Sequence, residues 1–139
     1  MTEKILIVDD EPDMLKLLTM IIKDKTAYAA TTTNNPFEAL EMAKTGQYDL
    51  IISDMKMPEL GGLELLKRMR QAGIDVPVIM ITAYSTTEAA QEALDDNAFD
   101  FIAKPFKKEK IIFSIEKAMR FSRLQKENKR LKEIAGEGR

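Results

Sequence analysis

Four short runs of this chain end on residues equipped to handle an anionic group. The apolar run Ile5–Val8 is followed by two adjacent carboxylates, Asp9 and Asp10. Leu50–Ser53 is followed by Asp54, Val78–Thr82 ends on a hydroxyl at Thr82, and Phe101–Ala103 is followed by Lys104. Three carboxylates drawn together cannot all stay ionised without compensation. Oxygen ligands suit a hard cation, and Mg²⁺ commonly takes few carboxylates and completes its shell with water and phosphate oxygens. An ammonium and a hydroxyl suit phosphoryl oxygens. The set points to a divalent cation at Asp9 and Asp10 serving phosphoryl chemistry at Asp54, whose carboxylate can act as a nucleophile and form an aspartyl phosphate. Each residue alone has a plainer reading: a helix cap for the aspartates, a strand former for Thr82, a solvated rim charge for Lys104, ordinary core for Phe101. What changes the reading is that Asp9, Asp10, Asp54, Thr82 and Lys104 all fall at the same end of their runs.

The elements that must hold them are legible from hydrophobic patterning. Five short apolar runs, Ile5–Val8, Tyr28–Thr31, Leu50–Ser53, Val78–Thr82 and Phe101–Ala103, alternate with amphipathic stretches. The first, third and fourth carry almost no polar residue, as strands buried on both faces of a parallel sheet do. The second is weaker, offers nothing comparable at its end, and is placed at an edge. Asn35-Pro36-Phe37-Glu38 reads as a helix N-terminus with a cap, a proline at the first position and a glutamate at the third. Ser85-Thr86-Thr87-Glu88 has the capping-box pattern, and Gly73 is placed as the stop of a helix over Leu63–Ala72. Pro77 suits the opening of a strand. Met55, Met57, Met69 and Met80 read as packing residues. Five β-α units with short connections predict a doubly wound α/β sheet, where ligands sit beyond the C-terminal strand ends.

Composition narrows the function. The 139 residues allow one domain with one core, and 45% hydrophobic with 32% charged content is that of an ordinary globular protein. A formal net charge of −2 steers the chain toward neither nucleic acid nor anionic membrane. There is no cysteine, which excludes thiolate chemistry, and no histidine, which removes the usual general base and any phosphohistidine of the chain's own. No apolar run approaches about 18 residues and the N-terminus is no signal peptide, so a cytoplasmic protein without membrane contact is expected.

The signatures VDDEP, DMKMPELGGLELL, ITAY and DFIAKPF, in this order over roughly residues 4–120, resemble the receiver domain of bacterial two-component response regulators. The resemblance implies a five-stranded parallel sheet of flavodoxin-like order 2-1-3-4-5. It implies Asp54 as phosphoacceptor, Asp10 as a direct Mg²⁺ ligand, Asp9 as an acidic partner acting largely through water, and the backbone carbonyl of Lys56 as a further ligand. Thr82 and Lys104 then engage the phosphoryl group, Pro105 follows a cis peptide bond, and Thr82 with Phe101 forms the switch. The implied partner is a sensor histidine kinase. Three positions depart from the family pattern: Gly61 where Asp is frequent, Asn97 where Gly is frequent, and Phe101 where many relatives have tyrosine. Two alternatives accompany this reading. One is a stand-alone receiver in a phosphorelay. The other is a Mg²⁺-dependent aspartyl-phosphate phosphohydrolase, against which stand the adjacent Asp9 and Asp10 in place of a D-x-D pair and the lack of a cap insertion.

Residues 1–120 are expected to form the receiver and 121–139 a helical extension of the fifth helix. That helix is predicted from near Lys107 to about Ile134, with Gly136–Arg139 frayed. Phe121, Asn128 and Ala135 fall at heptad position a, and Leu124 and Leu131 at d, which suits a weak parallel two-stranded coil and a homodimer; an amphipathic helix packed on its own domain is the plainer reading. RLQKENKRLKEI after a receiver looks similar to sigma-54-dependent transcription activators. The chain itself shows no Walker motif, helix-turn-helix or basic stripe, so no direct nucleic-acid contact is expected from it.

Overall fold

A computed structural model describes residues 2–83 and 86–137. Ten elements alternate: β1 (Lys4–Val8), α1 (Pro12–Lys25), β2 (Ala29–Thr33), α2 (Pro36–Lys44), β3 (Leu50–Asp54), α3 (Gly62–Gln71), β4 (Val78–Thr82), α4 (Thr87–Asp95), β5 (Asp100–Ala103) and α5 (Lys108–Glu137). The strands form one parallel sheet in the order β2-β1-β3-β4-β5. β2 is an edge, as its thin apolar content predicts. It lies at Ala29–Thr33 rather than Tyr28–Thr31, because Thr31 and Thr32 can face solvent at an edge while Thr33 is buried.

The central strands are apolar on both faces because both faces are covered. Leu6, Val8, Ile51, Val78 and Met80 pack with Ala39 and Ala43 of α2, Leu65, Leu66 and Met69 of α3, and Ala93 of α4; Met55 and Met57 join them. The alternate residues Ile5, Ile7, Leu50, Ile52, Ile79, Ile81 and Ile102 meet Leu18, Ile21 and Ile22 of α1 and Ile111, Ile115, Ala118 and Met119 of α5. The period-two alternation of the strands thus sorts five helices into two layers.

Local signals account for the boundaries. Asn35 caps α2, its Oδ1 accepting from the amides of Phe37 at 2.9 Å and Glu38 at 3.3 Å. The Glu38 carboxylate accepts from the Thr33 hydroxyl at 3.2 Å, while the Asn35 amide donates to that hydroxyl at 3.2 Å. Gly73 follows α3 with φ of 80°, and the Ile74 amide closes the turn on the Met69 carbonyl at 2.9 Å. Thr86 is the N-cap of α4, accepting from Ala89 N at 3.0 Å; Ser85 of the expected capping box lies outside the described residues. α5 runs past Ile134 to Glu137, so Gly136 is helical; residues 138–139 of the expected frayed tail lie outside the described residues.

Candidate phosphoryl-transfer site

Sheet order places β1, β3, β4 and β5 side by side, so their C-terminal ends make one continuous rim. Val8 pairs with Ser53, Asp54 with Ile81, and Thr82 with Ala103. The residues one step beyond are therefore neighbours, and Asp9, Asp54, Thr82 and Lys104 are brought together as the patterning predicts. β2, which supplies no such residue, is the strand kept away from this rim by β1.

Asp9 and Asp54 are buried, Asp10 is exposed, and Lys104 is largely covered. The Lys104 ammonium lies 3.8 Å from Asp9 Oδ2, 3.7 Å from Asp54 Oδ1 and 3.8 Å from Glu11 Oε1. These are ion-pair distances beyond direct hydrogen bonding, with one cation shared by three carboxylates. Backbone amides add to this: Glu11 N donates to Asp9 Oδ1 at 2.9 Å, and Met55 N donates to Asp54 Oδ1 at 2.9 Å.

That compensation is incomplete. Burial pushes the Asp9 carboxyl up to about 6, the neighbouring Asp54 charge adding to the shift while the Glu11 amide and Lys104 oppose it. Burial also raises Asp54, against the pull of Lys104 and the amides of Met55 and Lys56. Asp9, Asp10, Glu11 and Asp54 can each turn one carboxylate oxygen to within 4.8 Å of the others. An all-oxygen, over-acidic cluster of this kind fits a hard divalent cation such as Mg²⁺.

Glu11 is the residue that motif reading passed over. It stands directly after the Asp9-Asp10 pair and is the N-cap residue of α1 without a side-chain cap bond, which leaves its carboxylate available to the cluster. Gly62 was also unassigned. A Cβ there would stand 2.2 Å from the Asp54 carbonyl oxygen, so α3 can start against the end of β3 only with glycine. Gly61, the family departure, is the N-cap of α3 and makes no side-chain cap. Asn97 adopts φ of 67°, a left-handed conformation that asparagine tolerates. The Lys104–Pro105 bond is cis. Phe101 is half-buried against the α2-α3-α4 layer, Thr82 is fully buried, and the Lys56 side chain is exposed.

The response regulator receiver domain family model matches residues 5–116. The chain is 36% identical over 117 residues to sporulation initiation phosphotransferase F of Bacillus subtilis, covering 84% of this chain and 94% of that protein. It is 34% identical over 128 residues to regulatory protein AtoC of Escherichia coli, covering 92% of this chain and 28% of that one. The crystal structure of chemotaxis protein CheY4 of Vibrio cholerae superposes with a TM-score of 0.78 at 28% identity, covering 85% of this chain and 99% of that one. The chain spans about half the length of two transcriptional regulators that it matches at 34% identity. The chain belongs to the response regulator receiver domains, the phosphoryl-accepting switches of two-component signalling. Among the described residues no helix is long and apolar enough to cross a membrane.

Proposed function

We propose that Asp54 is the phosphoacceptor and that the rim around it is the catalytic apparatus for its own phosphorylation. The observation that carries this is a buried carboxylate beside a shared lysine, in a cluster with more negative charge than Lys104 can neutralise. An Asp54 carboxylate oxygen attacks the phosphorus of a phosphohistidine on a sensor histidine kinase. The P–O bond forms as the P–N bond breaks, and the electron pair stays on the departing imidazole nitrogen. The donor phosphohistidine lies outside these 139 residues, which contain no histidine. Asp9, Asp10, Asp54 and the Lys56 carbonyl would hold Mg²⁺, with Glu11 adding negative charge beside them. Bound Mg²⁺ supplies neutralisation of the phosphoryl oxygens. Lys104 orients one phosphoryl oxygen and Thr82 another. Movement of Thr82 toward the new group frees space into which Phe101 turns, and that alters the surface of α4, β5 and α5. Attack of water on the phosphorus breaks its bond to the Asp54 oxygen, releases inorganic phosphate and the free carboxylate, and reverses the switch.

The test is incubation with Mg²⁺ and acetyl phosphate. Mass spectrometry should find one phosphoryl group, on Asp54, and none on the Asp54→Asn chain. A label on any other residue sinks the assignment.

The output of the switch is taken to be transcriptional, as the names of longer relatives and the resemblance of the extension to sigma-54-dependent activators support. The alternative is a stand-alone phosphorelay role, as the name of the matching sporulation initiation phosphotransferase suggests for that protein. Reading the parent gene beyond Arg139 decides between them.

We further divide the chain into a receiver at 1–120 and an extension at 121–139 that pairs two copies. Leu124 and Leu131 are 63% and 52% exposed although apolar, and Ile134 beside them is 52% exposed. Within one chain Glu127 is held by Arg130, at 2.6 Å, so an interchain pair between Glu127 and Lys132 has to compete with it. Sedimentation should show a weak, concentration-dependent dimer that becomes a monomer in Leu124→Ser/Leu131→Ser. Equal monomer fractions would leave the extension a linker only.

A further inference from the structure

The N-terminal ends of the strands, opposite the phosphoryl rim, carry three carboxylates on three separate segments. Glu3 precedes β1, Asp49 precedes β3 and Asp75 lies in the α3-β4 connection. All three are engaged by one helix. Arg123 grips Glu3 as a two-pronged fork, Nε to Oε2 at 3.1 Å and Nη2 to Oε1 at 2.7 Å, and also donates to the Tyr28 hydroxyl at 3.1 Å. Lys126 pairs with Asp49, whose other oxygen accepts from the Lys4 amide at 2.8 Å. Lys129 pairs with Asp75 at 2.8 Å, and Gln125 donates to the Asp75 carbonyl at 3.0 Å. Ser122 on the same side is buried.

At about 3.6 residues per turn, Ser122, Lys126 and Lys129 fall on one side of α5, with Arg123 and Gln125 flanking them. Leu124 and Leu131 fall on the opposite side. We propose that the acidic base of the sheet is a helix-docking clamp that grips the basic face of residues 123–129 and fixes the rotation of α5. The clamp carries the helix beyond the last residues buried in the main core, Ala118 and Met119, and aims the Leu124–Leu131 stripe outward. That the stripe then meets a second copy rests on the dimer reading above; the clamp itself does not. Its consequence is that two copies joined by their stripes would hold their receivers at a set angle, because neither helix is free to swivel.

The exposed Lys129–Asp75 pair shifts an equilibrium by at most about fivefold, and the half-exposed Arg123–Glu3 pair is of similar scale, whereas Asp49 of the Lys126 pair is buried. The three together, with the arginine fork and the Gln125 bond, should hold residues 122–130 against local fraying by about tenfold or more, and salt should weaken them. The experiment uses the full chain in the Leu124→Ser/Leu131→Ser background, which removes the stripe. Amide hydrogen exchange is compared with and without Arg123→Glu, Lys126→Glu and Lys129→Glu together. All three side chains are more than half exposed, and protection over 108–118 is the control that their reversal, including the one beside buried Asp49, leaves the core intact. The expected result is about a tenfold loss of protection over residues 122–130 and none over 108–118. Raising NaCl from about 0.05 to about 1 M should produce part of the same loss with the native charges. Loss of protection supports the clamp whatever sedimentation says about dimers. Unchanged protection in the charge-reversed chain, or no response to salt, overturns it even if the native chain dimerises through its stripe.

Discussion

The two ends of the sheet are acidic in different ways. At the base, Glu3, Asp49 and Asp75 face Arg123, Lys126 and Lys129, one cation to each carboxylate. At the opposite rim, Asp9, Asp10, Glu11 and Asp54 gather around Lys104, which touches three of them at 3.7–3.8 Å and bonds closely to none. Matched charge at the base, where each carboxylate, including the buried Asp49, has its own cation, holds structure together. Unmatched charge, buried at strand ends that close packing forbids to move apart, is a site waiting for positive charge or a proton from outside. The same sheet therefore separates its two ends by the balance of charge as well as by strand direction.

The largest expected effect tests that imbalance directly. Lys104→Met leaves Asp9 and Asp54 buried without their shared cation. In chelator near neutral pH it should cost roughly 2–3 kcal/mol of stability, below the full penalty of a broken buried pair because the carboxylates can take up protons. Urea unfolding measures it. A loss below about 0.5 kcal/mol, the scale of an exposed pair, would erase the contrast between the two ends.

The pH dependence follows from Asp9. Its native pKa of about 6 exceeds the ordinary carboxylate value, so between the two the native chain holds a proton that the unfolded chain has released. The stability this contributes is complete below the unfolded value and is lost as pH rises through about 6. In chelator, the chain should lose roughly 2–3 kcal/mol from this group on going from near pH 4 to pH 7. Saturating Mg²⁺ at neutral pH should raise Tm by binding the native state alone. Stability that rises across the window, with no response to Mg²⁺, would mean that the rim is compensated after all.

Asp54→Asn gives a smaller effect of opposite sign. Burial and the neighbouring Asp10 charge raise the Asp54 carboxyl, so a neutral amide of the same shape relieves the rim. The metal-free variant should be more stable than the parent near neutral pH by about 1 kcal/mol, and should gain less from Mg²⁺. Thermal unfolding with and without Mg²⁺ reads both. Destabilisation would show that the carboxylate gains more from Lys104 than it suffers from burial and its acidic neighbours.

The chemical end was largely legible in the sequence, and the structural end was not. Asp9, Asp54, Thr82 and Lys104 each sit at the end of a run whose burial on both faces is written in its β-branched content, so the parallel sheet brings them together without further information. Glu11 was missed because its place in the cluster depends on how α1 starts, which apolar periodicity does not report. The base clamp was invisible for another reason. Arg123 and Glu3 stand 120 residues apart and Lys126 and Asp49 stand 77 apart, with no local pattern linking them. The heptad reading of the extension caught the apolar stripe but not the basic face that rotates it outward. Glu38 shows the same limit on a smaller scale: the pattern after Asn35 predicts a residue of the helix start, while in the fold it meets Thr33 at the end of the edge strand.

The smallest effect is expected at the base, and its smallness carries information. Lys129 and Asp75 are 61% and 56% exposed at the side chain, so both remain hydrated when paired and the attraction is screened. Gln125 still donates to the Asp75 backbone carbonyl when Lys129 is gone, so the segment keeps one of its two links to α5. Lys129→Met should therefore lower global stability by about 0.5 kcal/mol or less, and that loss should vanish in high salt. Because α5 leaves the main core near Met119, even this small loss should appear first as faster amide exchange near residue 129, ahead of any change in the unfolding midpoint. A loss matching that of Lys104→Met would mean that the base pairs carry buried charge, and the division of the sheet into a matched end and an unmatched end would have to be abandoned.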